Sequence, residues 1–150
     1  MIDLEVEDPA WTAALPEAEA LALAAAEATL ASEGAVGEGV SLLLTDDAAV
    51  RDLNRRFRQQ DKPTNVLSFP APQNPERFLG DVALAYGVCV REASEQGKPL
   101  ANHLQHLVAH GVFHLLGYDH ETDAQAAEME GLERAVLAGL GVPDPYLTGN

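Results

Sequence analysis

His110, His114 and His120 fall within the run His110-Gly-Val-Phe-His114-Leu-Leu-Gly-Tyr-Asp-His120, a spacing that lets three imidazoles surround one divalent metal ion. The first two lie four residues apart, which on a helix stacks both rings on one face about a turn from each other. Gly117 offers the left-handed residue that commonly ends a helix, so Tyr118 and Asp119 can reverse the chain and return His120 toward the pair. Three protein ligands leave a fourth position for water, which separates catalytic from structural zinc because water bound there ionises near about pH 7. A histidine pair at this spacing also occurs on ordinary helices. A glycine stop followed by a third histidine is what packing alone does not explain.

His103 and His106 extend the same helical face toward the N-terminus. One ion cannot reach along two further turns and still meet His120, so hydrogen bonding, substrate contact or partial burial is the role these two histidines suggest. Zinc peptidases with an HExxH motif carry their general base directly after the first histidine, and here that position is Gly111. A peptidase would need another base. Asp119, the nearest carboxylate in sequence, could orient a histidine, bind metal, relay a proton or cap the turn.

The histidine run resembles the signature of the YbeY family of metal-dependent endoribonucleases, the bacterial rRNA maturation factors. A second block agrees: Leu53-Asn54, Phe57-Arg58 and Asp61-Lys62-Pro63-Thr64-Asn65-Val66-Leu67-Ser68-Phe69-Pro70, followed by Leu79-Gly80-Asp81. Asp123 through Met129 also fit, so the likeness spans roughly residues 42 to 137, and several ordered motifs rarely coincide by chance. It is weakest in the first forty residues and from Ala83 to Val90. The resemblance implies an α+β fold, a small mixed sheet of about four strands packed with about five helices, and one zinc ion per chain bound by His110, His114 and His120. It further implies single-strand-specific cleavage of RNA in rRNA maturation, at the 3′ end of 16S rRNA, and in ribosome quality control. The implied partners are rRNA, the small ribosomal subunit and its assembly proteins. Arg58 and His114 are the implied catalytic residues, and attack by water or by the RNA 2′-hydroxyl would need the same metal and arginine.

Charge bears on that reading, because a formal net charge of −15 opposes binding to a polyanion. Distribution matters more than the sum. Arg51, Arg55, Arg56, Arg58 and Lys62 are five of the nine basic residues, gathered just before Pro63-Thr64-Asn65. They form a candidate phosphate-binding surface, with Arg55, Arg56 and Lys62 as substrate contacts, although helical spacing must turn some members away. Arg58 is the residue best suited to the reacting phosphate, since a guanidinium donates two parallel hydrogen bonds. Two rival readings remain. One is a metallopeptidase with an unconventional base; the other is a non-catalytic ribosome-assembly module whose metal braces the fold and is closed to solvent.

The elements that must position these residues can be read from period and punctuation. Ile2, Leu4 and Val6 alternate with acids as a half-buried strand does, and Pro16 to Ser32 is alanine-rich and helix-prone. Val40 to Leu44 reads as a buried strand, after which Thr45 or Asp46 can cap a helix through Leu53 to Phe57. Asn65 to Phe69 and Leu79 to Ala85 are strands joined by the Pro70 to Pro75 connection, and Tyr86 to Gln96 is a helix ended by Gly97. Pro99 opens the histidine helix, on which Leu100, Leu104, Leu107, Gly111 and Leu115 form a core stripe. Thr122 and Gln125 make a capping box for a last helix with Met129, Leu132, Val136 and Leu140 on one face.

A chain of 150 residues can bury about 68–70% of its unfolded surface, enough for one core, so residues 1–150 read as a single domain. No apolar run is long enough to span a membrane. The first fifty residues contain no Lys or Arg, so a basic leader region is absent, and a single Cys89 forms no internal disulfide. A cytoplasmic protein is expected, with Cys89 a small core residue.

Overall fold

The computed structural model describes residues 2–60 and 64–146. β1 (Ile2–Val6), α1 (Ala10–Ala14), α2 (Ala18–Ser32), β2 (Gly39–Thr45), α3 (Asp47–Arg58), β3 (Val66–Pro70), β4 (Phe78–Ala85), α4 (Tyr86–Glu95), α5 (Leu100–Leu115) and α6 (Asp123–Gly139) follow one another along the chain. The four strands make one mixed sheet in the order β1-β2-β4-β3. β1, β2 and β4 run parallel, and β3 returns antiparallel along β4, with Val66 opposite Leu84 and Pro70 opposite Gly80. Pro70 ends the edge strand β3, where its missing N–H breaks no ladder.

The alternation in β1 sends Ile2, Leu4 and Val6 inward and leaves Asp3 and Glu5 exposed. Asp46, rather than Thr45, caps α3 by accepting from the Ala49 N–H at 2.7 Å; Thr45 is buried and its hydroxyl donates to Glu7. The capping box of α6 forms as the sequence indicates, Thr122 and Gln125 each bonding the other's backbone N–H. One more helix forms than the sequence suggested. α1 is five residues long and seats Trp11, wholly buried, with its indole N–H donating to the Thr45 carbonyl at 3.0 Å.

α2 and α5 cover one face of the sheet and share the main core with Val40, Leu42, Leu44, Val82 and Leu84. On the other face Val50 and Leu53 of α3 pack on Leu67, Ala83 and Ala85. α6 lies outside α5, where Met129 and Val136 meet Phe113. Of the core stripe, Leu104, Leu107, Gly111 and Leu115 are buried and Leu100 at the start of the helix is half-buried, while Val108, Val112 and Phe113 are buried too. α5 is thus a central helix, enclosed between sheet, α2 and α6. Cys89 lies wholly buried in the main core, and burial pushes its thiol well above the usual range.

α5 lies close against the sheet at Gly111. A Cβ there would stand 2.6 Å from Val82 Cγ1 on β4 and 3.2 Å from the Ser68 hydroxyl on β3. The two layers can approach this far only without a side chain at that position. Gly111→Ala is therefore expected to lose about 1–3 kcal/mol through overpacking. Urea unfolding checks it: the midpoint should fall while the slope stays that of the parent.

Candidate metal centre

α5 ends as the sequence anticipated. Leu116 closes the helix, Gly117 takes the left-handed conformation at φ +105°, and the Gly117 and Tyr118 N–H groups bond back to the His114 and Phe113 carbonyls at 3.0 and 3.1 Å. This paired reversal satisfies the last carbonyls of the helix and turns the chain over its own end. Tyr118 then anchors the turn, its ring edge-on to Phe113 and its hydroxyl donating to Glu33 of the segment after α2 at 2.6 Å. Asp119 accepts from the His120 N–H at 2.7 Å, the turn-capping role among those open to it.

These bonds bring His120 onto the helical pair. One ring nitrogen from each of His110, His114 and His120 lies within 4.8 Å of the others. His110 Nε2 and His114 Nε2 are 3.2 Å apart, close to the roughly 3.3 Å between two nitrogens that each bind a tetrahedral zinc at about 2.0–2.1 Å. Among the described residues this is the one cluster of three or more His, Cys, Asp or Glu side chains with such spacing. His110 and His114 are half-buried and His120 is exposed, so the cluster opens onto solvent. Burial, with His110 and His120 alongside, lowers the His114 pKa and favours the neutral ring that a metal ligand must be. Three imidazoles with an open side fit a metal ion.

Behind the cluster stands a residue that the sequence reading did not single out. Glu133 of α6 is wholly buried and receives His110 Nδ1 at 2.8 Å on one carboxyl oxygen. Its other oxygen meets His106 Nε2 at 2.9 Å and the Tyr146 hydroxyl. Burial pushes the Glu133 carboxyl up, but the hydrogen bonds from His106 and His110 outweigh it and hold the pKa at about 2. Burial and the nearby carboxylate raise the Tyr146 hydroxyl far above its usual range, so it keeps its proton and donates. A signal was present in the sequence: Glu133 interrupts the apolar face that Met129 and Val136 define on α6.

His103 and His106 are both buried and stand outside the cluster. His103 Nε2 lies 2.9 Å from Glu92 Oε1, while His106 is engaged by Glu133. The missing peptidase base has a steric reason, since position 111 faces β4 and Ser68 rather than the histidines.

A cleft of about 610 Å³ runs from the histidines to the end of α3, lined by Arg58, Thr64, Asn65, Ser68, Asp119 and Glu121 among others. Arg58 donates from Nη2 to the Ser68 carbonyl at 2.6 Å and is the one Lys or Arg among the described lining residues. Arg55 and Arg56 are not brought into the cleft. Both are exposed and pair with Asp52 on α3, at 2.5 and 3.4 Å. Lys62 lies outside the described residues.

A family model described as Endoribonuclease YbeY matches residues 5–141. Endoribonuclease YbeY of Azorhizobium caulinodans is 55% identical, over 97% of this chain and 95% of its own length. The chain belongs to the YbeY family. Endoribonuclease YbeY of Paramagnetospirillum magneticum is 50% identical over 97% of this chain and 94% of its own. The solution structure of TM1509 from Thermotoga maritima superposes with a TM-score of 0.57 at 22% identity, covering 94% of this chain and 92% of that one, and shows a shared fold alone.

His114→Ala should lower bound metal sharply, because the two remaining histidines cannot hold an ion in the same geometry. His103→Ala should leave stoichiometry near that of the parent. Elemental analysis of the purified variants checks both, and equal losses would show that the ligands are misassigned.

Proposed function

We propose that this protein is a zinc-dependent, single-strand-specific endoribonuclease of the cytoplasm. Its substrate is rRNA, at the 3′ end of the 16S rRNA on the small ribosomal subunit with its assembly proteins, and it serves ribosome maturation and quality control. The observation that carries the reading is that Arg58 lines the same cleft as His110, His114 and His120. The names of the two relatives, both Endoribonuclease YbeY at 55% and 50% identity, point the same way.

His110, His114 and His120 would hold the ion, and zinc there supplies Lewis acidity toward a phosphoryl oxygen. Arg58 supplies the phosphate contact. Its guanidinium has five N–H donors in a planar fork, of which the bond to Ser68 uses one and fixes the plane, so others can meet the charge that grows on the phosphate oxygens during attack. The lining of the cleft supports the proposed single-strand preference, for Arg58 is the one Lys or Arg among its described residues. One arginine in a concave site suits a strand whose bases can be splayed, whereas a duplex needs phosphate contacts spread over a wide basic surface.

The open cleft and exposed His120 argue against an assembly module whose metal is closed to solvent. Gly111 argues against a peptidase of the HExxH kind, for the packing there admits no glutamate. No helix among the described residues is long and apolar enough to cross a membrane.

Arg58→Ala should keep metal and fold but lose on the order of 100-fold or more in cleavage rate. Arg58→Lys should fall between the two, because a point charge does not reproduce the bidentate fork. Single-turnover cleavage of a single-stranded RNA bearing the 16S 3′ end, with protein in excess, measures both. Full activity in a folded, metal-replete Arg58→Ala protein would exclude the phosphate role.

A further inference from the structure

The buried carboxylate behind the histidines joins the metal centre to the far end of the chain. Glu133 comes from α6, and Tyr146 from the segment that follows it. Past Gly139 the chain folds back along α6: Arg134 pairs with Asp144 at 2.9 Å, the Tyr146 N–H donates to Asp144 at 2.8 Å, and Lys98 donates to the Pro145 carbonyl at 2.7 Å. Those three contacts lay the Tyr146 ring under the Arg134 guanidinium, 5.2 Å away, and edge-on to His106. Its hydroxyl reaches Glu133 on the oxygen that His110 does not use.

The chemistry of the partners fixes the proton positions. An ionised carboxylate only accepts, so the His110 nitrogen against it, Nδ1, must carry the hydrogen. In a neutral ring the lone pair then sits on Nε2, the nitrogen 3.2 Å from His114 Nε2. We propose that Glu133 is a positioning residue for the metal, setting the tautomer and plane of His110, and that Tyr146 of the C-terminal segment steadies Glu133 in that role. A carboxylate behind a ligating histidine raises its basicity and holds its direction. With both carboxyl oxygens engaged, the carboxylate cannot rotate away from His110 without giving up the bonds to His106 and Tyr146. The C-terminal segment thereby becomes part of the metal centre without touching the metal.

This inference rests on reading His110 as a ligand, and the experiment separates the two. Zinc affinity is measured by competition with a chromophoric chelator for the parent, Glu133→Gln and Tyr146→Phe, alongside circular dichroism for fold. The parent should bind one zinc. Glu133→Gln should bind about 10–100-fold more weakly, and Tyr146→Phe, which loses one hydroxyl and keeps its ring, about 2–10-fold more weakly. Where Glu133→Gln fails to fold, the phenylalanine variant still decides. A second readout needs no metal: 15N shifts of the His110 ring in the metal-free parent should report hydrogen on Nδ1. Parent binding with unchanged affinity in folded variants, or hydrogen on Nε2 of His110, would overturn the inference alone. No zinc binding by the parent would overturn the ligand reading and this inference with it.

Discussion

Ser68 makes two hydrogen bonds in opposite directions, and the site depends on both. Its side-chain hydroxyl donates to the Gly111 carbonyl on α5 at 3.0 Å, while its backbone carbonyl accepts the Arg58 guanidinium at 2.6 Å. One residue of an edge strand therefore sets the arginine against the helix that carries the histidines. The bond to Gly111 is possible because α5 lies directly on the sheet there, which in turn requires the bare Cα of glycine against Val82. A side chain at position 111 would lift the helix, lengthen the Ser68 contact and move His110, the preceding residue, away from the cleft. Close packing in protein interiors transmits such shifts rather than absorbing them.

Among the described residues Arg58 is the one Lys or Arg that lines the cleft. With a net charge of −15, the protein as a whole repels a polyanion. Screening limits that repulsion to about 8 Å at physiological salt, so a strand that binds in the cleft as proposed would meet the local set of charges. Among the described residues that set holds Arg58 and the histidines together with Asp119 and Glu121. Arg55 and Arg56 lean on Asp52 instead, three and four residues earlier on the same helix, and Asp52 is held below the usual carboxylate range by those contacts. A helix turns about 100° per residue, so neighbours of Arg58 in sequence cannot all be its neighbours in space.

Much of this was legible in the sequence because it is written in local chemistry. The alternation of Ile2, Leu4 and Val6, the capping box of Thr122 and Gln125, the glycine stop at Gly117 and the stripe of Leu104, Leu107, Gly111 and Leu115 each depend on residues a few positions apart. What was not legible depends on distant ones. The five-residue helix α1 is too short to show a period, and its buried Trp11 bonds the Thr45 carbonyl thirty-four residues away. Glu133 sits twenty-three residues beyond His110, and its sign was only an acid within an apolar face. The roles of Ser68 and Tyr146 are tertiary in the same sense, since neither residue type nor spacing announces a bond to another element.

On the proposed ligand reading, Glu133 also accounts for which histidines of α5 would serve a metal. His106, His110 and His114 are spaced by four, so each ring is displaced by about 40° around the helix from the one before. That row alone would let His106 and His110 make a pair as readily as His110 and His114. The buried carboxylate breaks the equivalence. It takes His106 by Nε2 and His110 by Nδ1, so His106 spends on Glu133 the nitrogen that His110 turns toward His114. His106 Nδ1 is buried without a partner among the described residues, away from the cleft. A single anion placed between two successive histidines thus divides one helical face into a closed end, where imidazoles are held, and an open end, where they can bind.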